Sequence, residues 1–226
     1  MDVVFFAPVV IRAIGVDAND PNTKFFDRYI EPNFGNTNSI DITMPLSPNK
    51  LEILFVNQTN NDDNAFSLQG IEADYLTPIG VDLTRNHYNT VLWFQKFCRD
   101  ASFLPDGIYR ELGGNLWINY MTQITENGQI LDTPARVHHD TGEIQINSTK
   151  FRTYTIPQRF VILCHEDSHH RWDNTDETFC DMEALRIALG LGFPKSECIY
   201  SFTDILSDTH QNRSRMNQIV NYINRF

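Results

Sequence analysis

Short apolar runs separated by polar, turn-forming stretches occupy the first part of the chain. The apolar runs are Val3–Phe6, Val9–Ile14 and Leu51–Val56, and the stretches between them are rich in Asn, Asp and Pro. This alternation predicts short strands joined by turns. We therefore expect residues 1–86 to form an antiparallel β sandwich or barrel that acts as a docking or packing module.

After residue 86 the apolar positions follow a helical period. Apolar residues recur three and four positions apart in Tyr88–Arg99, which predicts a helix with one buried face. Further helices are predicted for Pro157–Trp172, Asp176–Leu189 and Gln211–Arg225, and strands for Asn115–Met121 and Glu143–Asn147. The chain is therefore expected to be α+β, with a second domain in residues 87–226.

Charge and hydropathy narrow the function classes. The 226 residues carry a net charge of -11 and show no basic stripe, so free nucleic acid is not an expected partner. No segment is long and apolar enough to insert in a membrane, and the N-terminus lacks the basic flank of a signal peptide. We expect synthesis in the cytoplasm, with the four cysteines reduced and largely buried.

A candidate metal site lies in the predicted helix Pro157–Trp172. His165-Glu166-Asp167-Ser168-His169 has the form HExxH, which places two imidazoles one helical turn apart on the same face. Both rings can then reach a single ion, and one Zn²⁺ per chain is expected. Glu166 is the expected general base, activating a metal-bound water for attack on a peptide carbonyl.

The next predicted helix supplies carboxylates at the same helical spacing. Glu177 and Asp181 are four residues apart and therefore share a face. Glu177 is the preferred third metal ligand, and Asp181 is expected to orient a ligating imidazole. Asp173, Asp176 and Asp181 remain alternative third ligands. Glu177 would also favour the helix N-terminus without any metal.

These motifs resemble those of the gluzincin-type peptidases, which are small zincins. In that family HExxH is followed by a helix with a Glu-x-x-Ala-Asp pattern, which stands here as Glu177-Thr-Phe-Cys180-Asp181. The resemblance covers residues 90–200 or so and implies that His165, His169 and Glu177 bind zinc. It also implies an edge strand that pairs with an extended substrate, and Glu143–Asn147 is the expected strand.

Two charged residues depart from the family pattern. Asp167 stands where zincins generally have an uncharged residue, and Arg171 stands where they usually have an apolar one. Outside the motifs, His138, His139 and Tyr154 are candidates for contacting the substrate or an oxyanion.

The function predicted from the sequence is zinc-dependent peptide hydrolysis, with a polypeptide substrate or protein partner. An alternative is a structural or assembly protein of a phage virion that carries a weak or inactive zincin-like domain. In that case the β module would mediate a homo-oligomer or a larger assembly. A third possibility is a binding domain whose metal is closed off by a fourth side chain.

Overall fold

The computed structural model describes residues 1–7, 9–31, 38–39, 41–44, 46, 48–59, 65–74, 80–203, 205–206 and 209–226. The chain contains both helices and sheets, so the α+β prediction is confirmed at that level. It divides into two compact units, Met1–Thr77 and Pro78–Phe226. Among the described residues, no helix combines the length and apolar character that a bilayer span requires.

The first unit consists of short antiparallel strands. They are β1 (Asp2–Phe5), β2 (Ile11–Asp17), β3 (Asp20–Ile30), β4 (Asn38–Ser39), β5 (Leu51–Asn57) and β6 (Phe66–Gln69). Two three-stranded sheets result, in the orders β4-β1-β6 and β3-β2-β5. Residues from both sheets form one hydrophobic cluster, which includes Val3, Phe5 and Ile11 with Phe55 packed against it. Part of the Asn-rich run predicted as a turn, residues 60–64, lies outside the described residues.

In the described part of the second unit there are six helices and six strands. The helices are α1 (Arg85–Asp100), α2 (Ser148–Phe151), α3 (Ile156–Arg171), α4 (Glu177–Gly190), α5 (Lys195–Thr203) and α6 (His210–Arg225). The strands are β7 (Gly107–Arg110), β8 (Trp117–Met121), β9 (Thr125–Glu126), β10 (Gln129–Ile130), β11 (Ala135–His138) and β12 (Glu143–Asn147).

Four of these strands form a mixed sheet in the order β11-β12-β8-β7. β12 runs parallel to β8, and the other two pairings are antiparallel. The expectation that Glu143–Asn147 is an edge strand is wrong, because it is paired on both sides. Its alternating Ile144 and Ile146 are fully buried, as suits an interior strand. The edge strand on that side is β11.

Helix α1 packs against the sheet through a cluster of aromatic side chains. It begins after Thr84, whose side chain caps the helix by accepting from the backbone N–H of His87. The ring of Phe97 lies 5.6 Å from the rings of both Tyr109 and Tyr120, and each contact is edge-on. Such edge-on geometry is favoured by the ring quadrupoles. These rings fasten α1 to β7 and β8.

Helix α3 is the central element of the second unit and contacts α1, α4, α5, β11 and β12. Its start is specified locally: Thr155 and Gln158 form a capping box, and Pro157 stands in the first turn. Residues 156–164 are all buried, so this half of the helix has no solvent-exposed face. The fully buried Arg159 donates to the carbonyls of Phe151, Cys98 and Arg152.

Candidate metal centre

The second half of α3 carries the two histidines of the HExxH sequence. His165 and His169 lie one turn apart, and their Nε2 atoms approach to 3.1 Å. His169 is buried, and His165 is only partly exposed. The α3 helix itself produces this approach, because residues four apart share a face. The predicted pair of imidazoles is therefore present, with the two Nε2 atoms close together.

A tight connection turns the chain from α3 into α4. Asp173 adopts a left-handed backbone conformation with φ of 47°, which Asp tolerates better than most residues. The carbonyl of Asn174 then accepts a hydrogen bond from Nδ1 of His169 at 2.7 Å. Asp176 caps α4 by accepting from the backbone N–H groups of Thr178 and Phe179. Because the turn is so compact, seven residues suffice between the second histidine and the next helix.

Glu177 is the first residue of α4 and forms, with His165 and His169, a group of three candidate ligands. Its Oε2 lies 3.4 Å from Nε2 of His165, and its Oε1 lies 3.6 Å from Nε2 of His169. In a tetrahedral zinc site with bonds of 2.0–2.1 Å, ligand atoms are separated by about 3.3–3.4 Å. The three separations match that geometry. The cluster of His165, His169 and Glu177 could therefore hold a metal ion.

The hydrogen bonds of the two histidines show why a cation fits there. A carbonyl only accepts, so His169 bears its proton on Nδ1 and presents the lone pair of Nε2. Nδ1 of His165 lies 2.9 Å from Oδ1 of Asp181, and this nearby carboxylate favours a proton on Nδ1. Two lone pairs and the Glu177 carboxylate thus face one another. A proton or a metal ion between them is needed to offset their repulsion.

The pKa shifts in the cluster also show that a positive charge is favoured between these side chains. Burial lowers the pKa of His165, but its hydrogen bonds to Asp181 and Glu177 outweigh burial and raise that pKa to about 10. The hydrogen bond from His165 lowers the pKa of Glu177 to about 2. Burial also lowers the pKa of His169. Without metal, a proton on His165 therefore supplies the missing positive charge at neutral pH.

Arg215 is a member of the site that the sequence motifs did not indicate. It lies on α6 and donates to both oxygens of Asp181, at 2.9 Å each. Its Nη2 also lies 3.1 Å from Oε2 of Glu177. The only sequence signal was an arginine on the predicted last helix. Nothing in its spacing relates it to the HExxH sequence.

Glu166 lies in the wall of a cavity of about 470 Å³ that the three ligands also line. Burial raises the pKa of the Glu166 carboxyl, and a hydrogen bond from the backbone N–H of Val137 in β11 partly offsets this. The cavity lining also includes the apolar side chains of Val161, Ile162 and Phe202. The cavity lining thus combines a buried carboxyl, the three side chains that could hold a metal ion, and apolar residues.

Of the three other predicted candidates, the structure brings only His139 to the cavity. Its ring lies 5.6 Å from the ring of His169 and contributes to the cavity wall. His170 holds this region by donating from Nδ1 to the backbone carbonyl of His139 at 2.7 Å. The described residues that line the cavity include neither His138 nor Tyr154.

The two departures from the zincin pattern lie together, away from the metal centre. Arg171 donates to both oxygens of the buried Asp167, at 2.9 and 3.2 Å. Nε2 of His87, on α1, lies 3.3 Å from the same carboxylate. Asp167 and Arg171 line a separate cavity of about 340 Å³ rather than the one beside the ligands. They form an ion pair within α3, and Arg171 also donates to the hydroxyl of Thr90 on α1 at 3.4 Å.

Cys180 lies next to the candidate ligands, but its sulfur does not face the position between them. Its Sγ is 3.3 Å from Nδ1 of His169, on the side of that ring away from Glu177. Burial raises the pKa of Cys180 to about 12, so the thiol stays protonated at neutral pH. All four cysteines are buried, as expected.

The fold and side chains therefore define a candidate three-ligand metal centre with an adjacent carboxyl. No protein family, curated protein or solved structure matches this chain.

Proposed function

We propose that the chain is a zinc-dependent metallopeptidase of the zincin kind. The observation that supports this most directly is the convergence of two imidazole nitrogens and one carboxylate beside Glu166. Their separations of 3.1, 3.4 and 3.6 Å fit a tetrahedral ion, and three protein ligands leave its fourth position for a reactant.

Each residue has a role that its surroundings support. Zinc at such a centre supplies a Lewis acid, which lowers the pKa of water and polarises a carbonyl group. Glu166 takes the proton from the attacking water and passes it to the leaving amine, and its raised pKa suits that transfer. Asp181 orients His165 through Nδ1. His139, which lines the cavity, is proposed to donate to the oxyanion that forms when the carbonyl is attacked.

A polypeptide in extended conformation is the substrate that the cavity favours. Ala135 and Val137 of the edge strand β11 line the cavity, and edge strands bind extended peptides through main-chain hydrogen bonds. Val161, Ile162 and Phe202 offer an apolar wall to one substrate side chain.

The proposal is tested by metal analysis and casein cleavage on the purified chain. We expect about one zinc per chain in the wild type and none in His165→Ala. Glu166→Gln should keep its zinc but lose cleavage by at least about a hundredfold, since general acid–base catalysis contributes that much. Glu183→Gln is the matched control, because Glu183 pairs with Arg186 on α4 and is not among the cavity-lining residues. A wild type that binds no zinc would falsify the proposal.

The same measurements address the alternatives derived from the sequence. An inactive chain that forms a large symmetric assembly would favour the virion structural or assembly protein. Zinc that is bound tightly but exchanges no ligand with added anions would favour a closed, four-ligand binding domain.

A further inference from the structure

The last helix of the chain contributes directly to the metal centre. Arg215 lies on α6, and its side chain is only 12% exposed. Through Nε and Nη2 it grips Asp181 with two hydrogen bonds of 2.9 Å. Nη2 also contacts Oε2 of Glu177 at 3.1 Å. One guanidinium thus joins the ligand carboxylate to the carboxylate that orients His165.

The two carboxylates depend on this guanidinium to different degrees. Asp181 is fully buried, so its charge needs close partners, and Arg215 occupies both of its oxygens. Glu177 is 48% exposed, so its side chain is free to turn towards solvent when Arg215 does not hold it. Arg215 therefore favours the rotamer in which Glu177 faces the two Nε2 atoms.

The position of Arg215 makes this arrangement conditional on the docking of α6. The helix contacts α4 and α5, and its Ile219 and Ile223 are buried. If α6 separates from α4, the guanidinium leaves with it. Asp181 and Glu177 then lose a shared partner at the same moment.

We propose that Arg215 is a positioning residue of the metal centre and that metal binding and α6 docking form one coupled equilibrium. The inference rests on the metal site of the proposed function, but it does not require peptidase activity. Coupling of this kind is reciprocal: docked α6 tightens metal binding, and bound metal favours docked α6.

If Arg215 acted only through its charge, its removal would change the metal affinity in the opposite direction. A positive charge beside a dication weakens its binding, so a purely electrostatic Arg215 would make its removal tighten the site. A positioning Arg215 makes its removal loosen the site, because residues that orient metal ligands typically contribute about 10–100-fold to affinity.

The first test is zinc and cobalt affinity by chelator competition in the full chain. We expect Arg215→Met to bind at least about tenfold more weakly than the wild type. Arg215→Lys should recover only part of this, because an ammonium lacks the planar fork that grips both carboxylates. The visible spectrum of bound Co²⁺ should also change in Arg215→Met. Arg186→Met is the control, because it breaks an ion pair with Glu183 on the same α4 helix.

The second test needs no variant of Arg215. Zinc should slow hydrogen exchange of the backbone amides in Met216–Ile223 of the wild type and leave those of His165→Ala unchanged. Unchanged or tighter metal binding in Arg215→Met, or exchange in α6 that ignores zinc, overturns the proposal. A wild type that binds no metal refutes the metal site itself, which distinguishes the two failures.

Discussion

Two polar clusters lie on different sides of α3, and their charges are balanced in different ways. In the metal-side cluster, which consists of His165, His169, Glu177 and Asp181, two imidazole lone pairs face a carboxylate. The two Nε2 atoms are only 3.1 Å apart. The rear cluster sets Asp167 against Arg171 in a two-point ion pair, with His87 beside it. On the metal side, Arg215 offsets only one of the two carboxylates, Asp181 and Glu177, and the lone pairs still face a negative charge. In the rear cluster, Arg171 balances Asp167.

This difference separates a ligand site from a structural site more clearly than residue type does. Both clusters contain a buried histidine and a buried carboxylate and include residues of α3, so a search for polar residues alone would mark both. The surroundings of each imidazole distinguish them. Nδ1 of His169 donates to Asn174 and Nδ1 of His165 lies beside Asp181, which leaves Nε2 of each ring facing the cluster.

Breaking the rear cluster should produce the largest effect on stability. Arg171→Met leaves the buried Asp167 without its two-point partner, and we expect a loss of about 3 kcal/mol in urea unfolding. Zinc affinity should stay within about threefold of the wild type. Arg186→Met, which opens a more exposed pair, should cost no more than about 1 kcal/mol. A parallel loss of zinc affinity in Arg171→Met would show that the two clusters are not independent.

Raising the pH should lower the free energy of unfolding of the metal-free protein, because His165 then loses its proton. The folded-state pKa of His165 is about 10, above its ordinary value of 6.5. Its contribution to stability is therefore complete below pH 6.5 and is lost as pH rises towards 10. Between pH 7 and pH 9 we expect a loss of about 2 kcal/mol in unfolding measured with a chelator present. His165→Gln should show a flatter profile, and an equally steep one would assign the effect to another group.

The connection between the two ligand helices should give the smallest effect. Asp173 has φ of 47°, a region that glycine enters without a Cβ penalty. Asp173→Gly should change the free energy of unfolding by less than about 1 kcal/mol and preserve zinc binding. Asp173→Val should destabilise the protein by more than that, because a β-branched residue is strained there. Equal stability of the two variants would contradict a left-handed turn at this position.

The sequence was informative wherever a few neighbouring residues determine the outcome. The helix bearing His165 and His169 was predicted because proline placement and apolar spacing act within a few turns. The shared face of Glu177 and Asp181 followed from helical spacing in the same way. The α+β class was accessible because periods of two and of three to four appear in different parts of the chain.

The remaining features depend on contacts between distant parts of the chain. Glu143–Asn147 was expected at an edge, but its position is decided by β8 and β11 pairing on both sides. Arg215 could not be assigned to the site, because only the packing of α6 brings it to Asp181. The placement of His139 rather than His138 at the cavity likewise depends on the turn held by His170.

The hydrogen bonds of Arg159 affect how cooperatively the second unit unfolds. Its guanidinium joins α1, α2 and α3 through the carbonyls of Cys98, Phe151 and Arg152. If any one of these segments frayed, it would leave a buried cation short of an acceptor, which adds to the free-energy cost of partial opening. The scaffold of α3 is thus expected to melt cooperatively, and proteases should find few partly opened states of it to cleave.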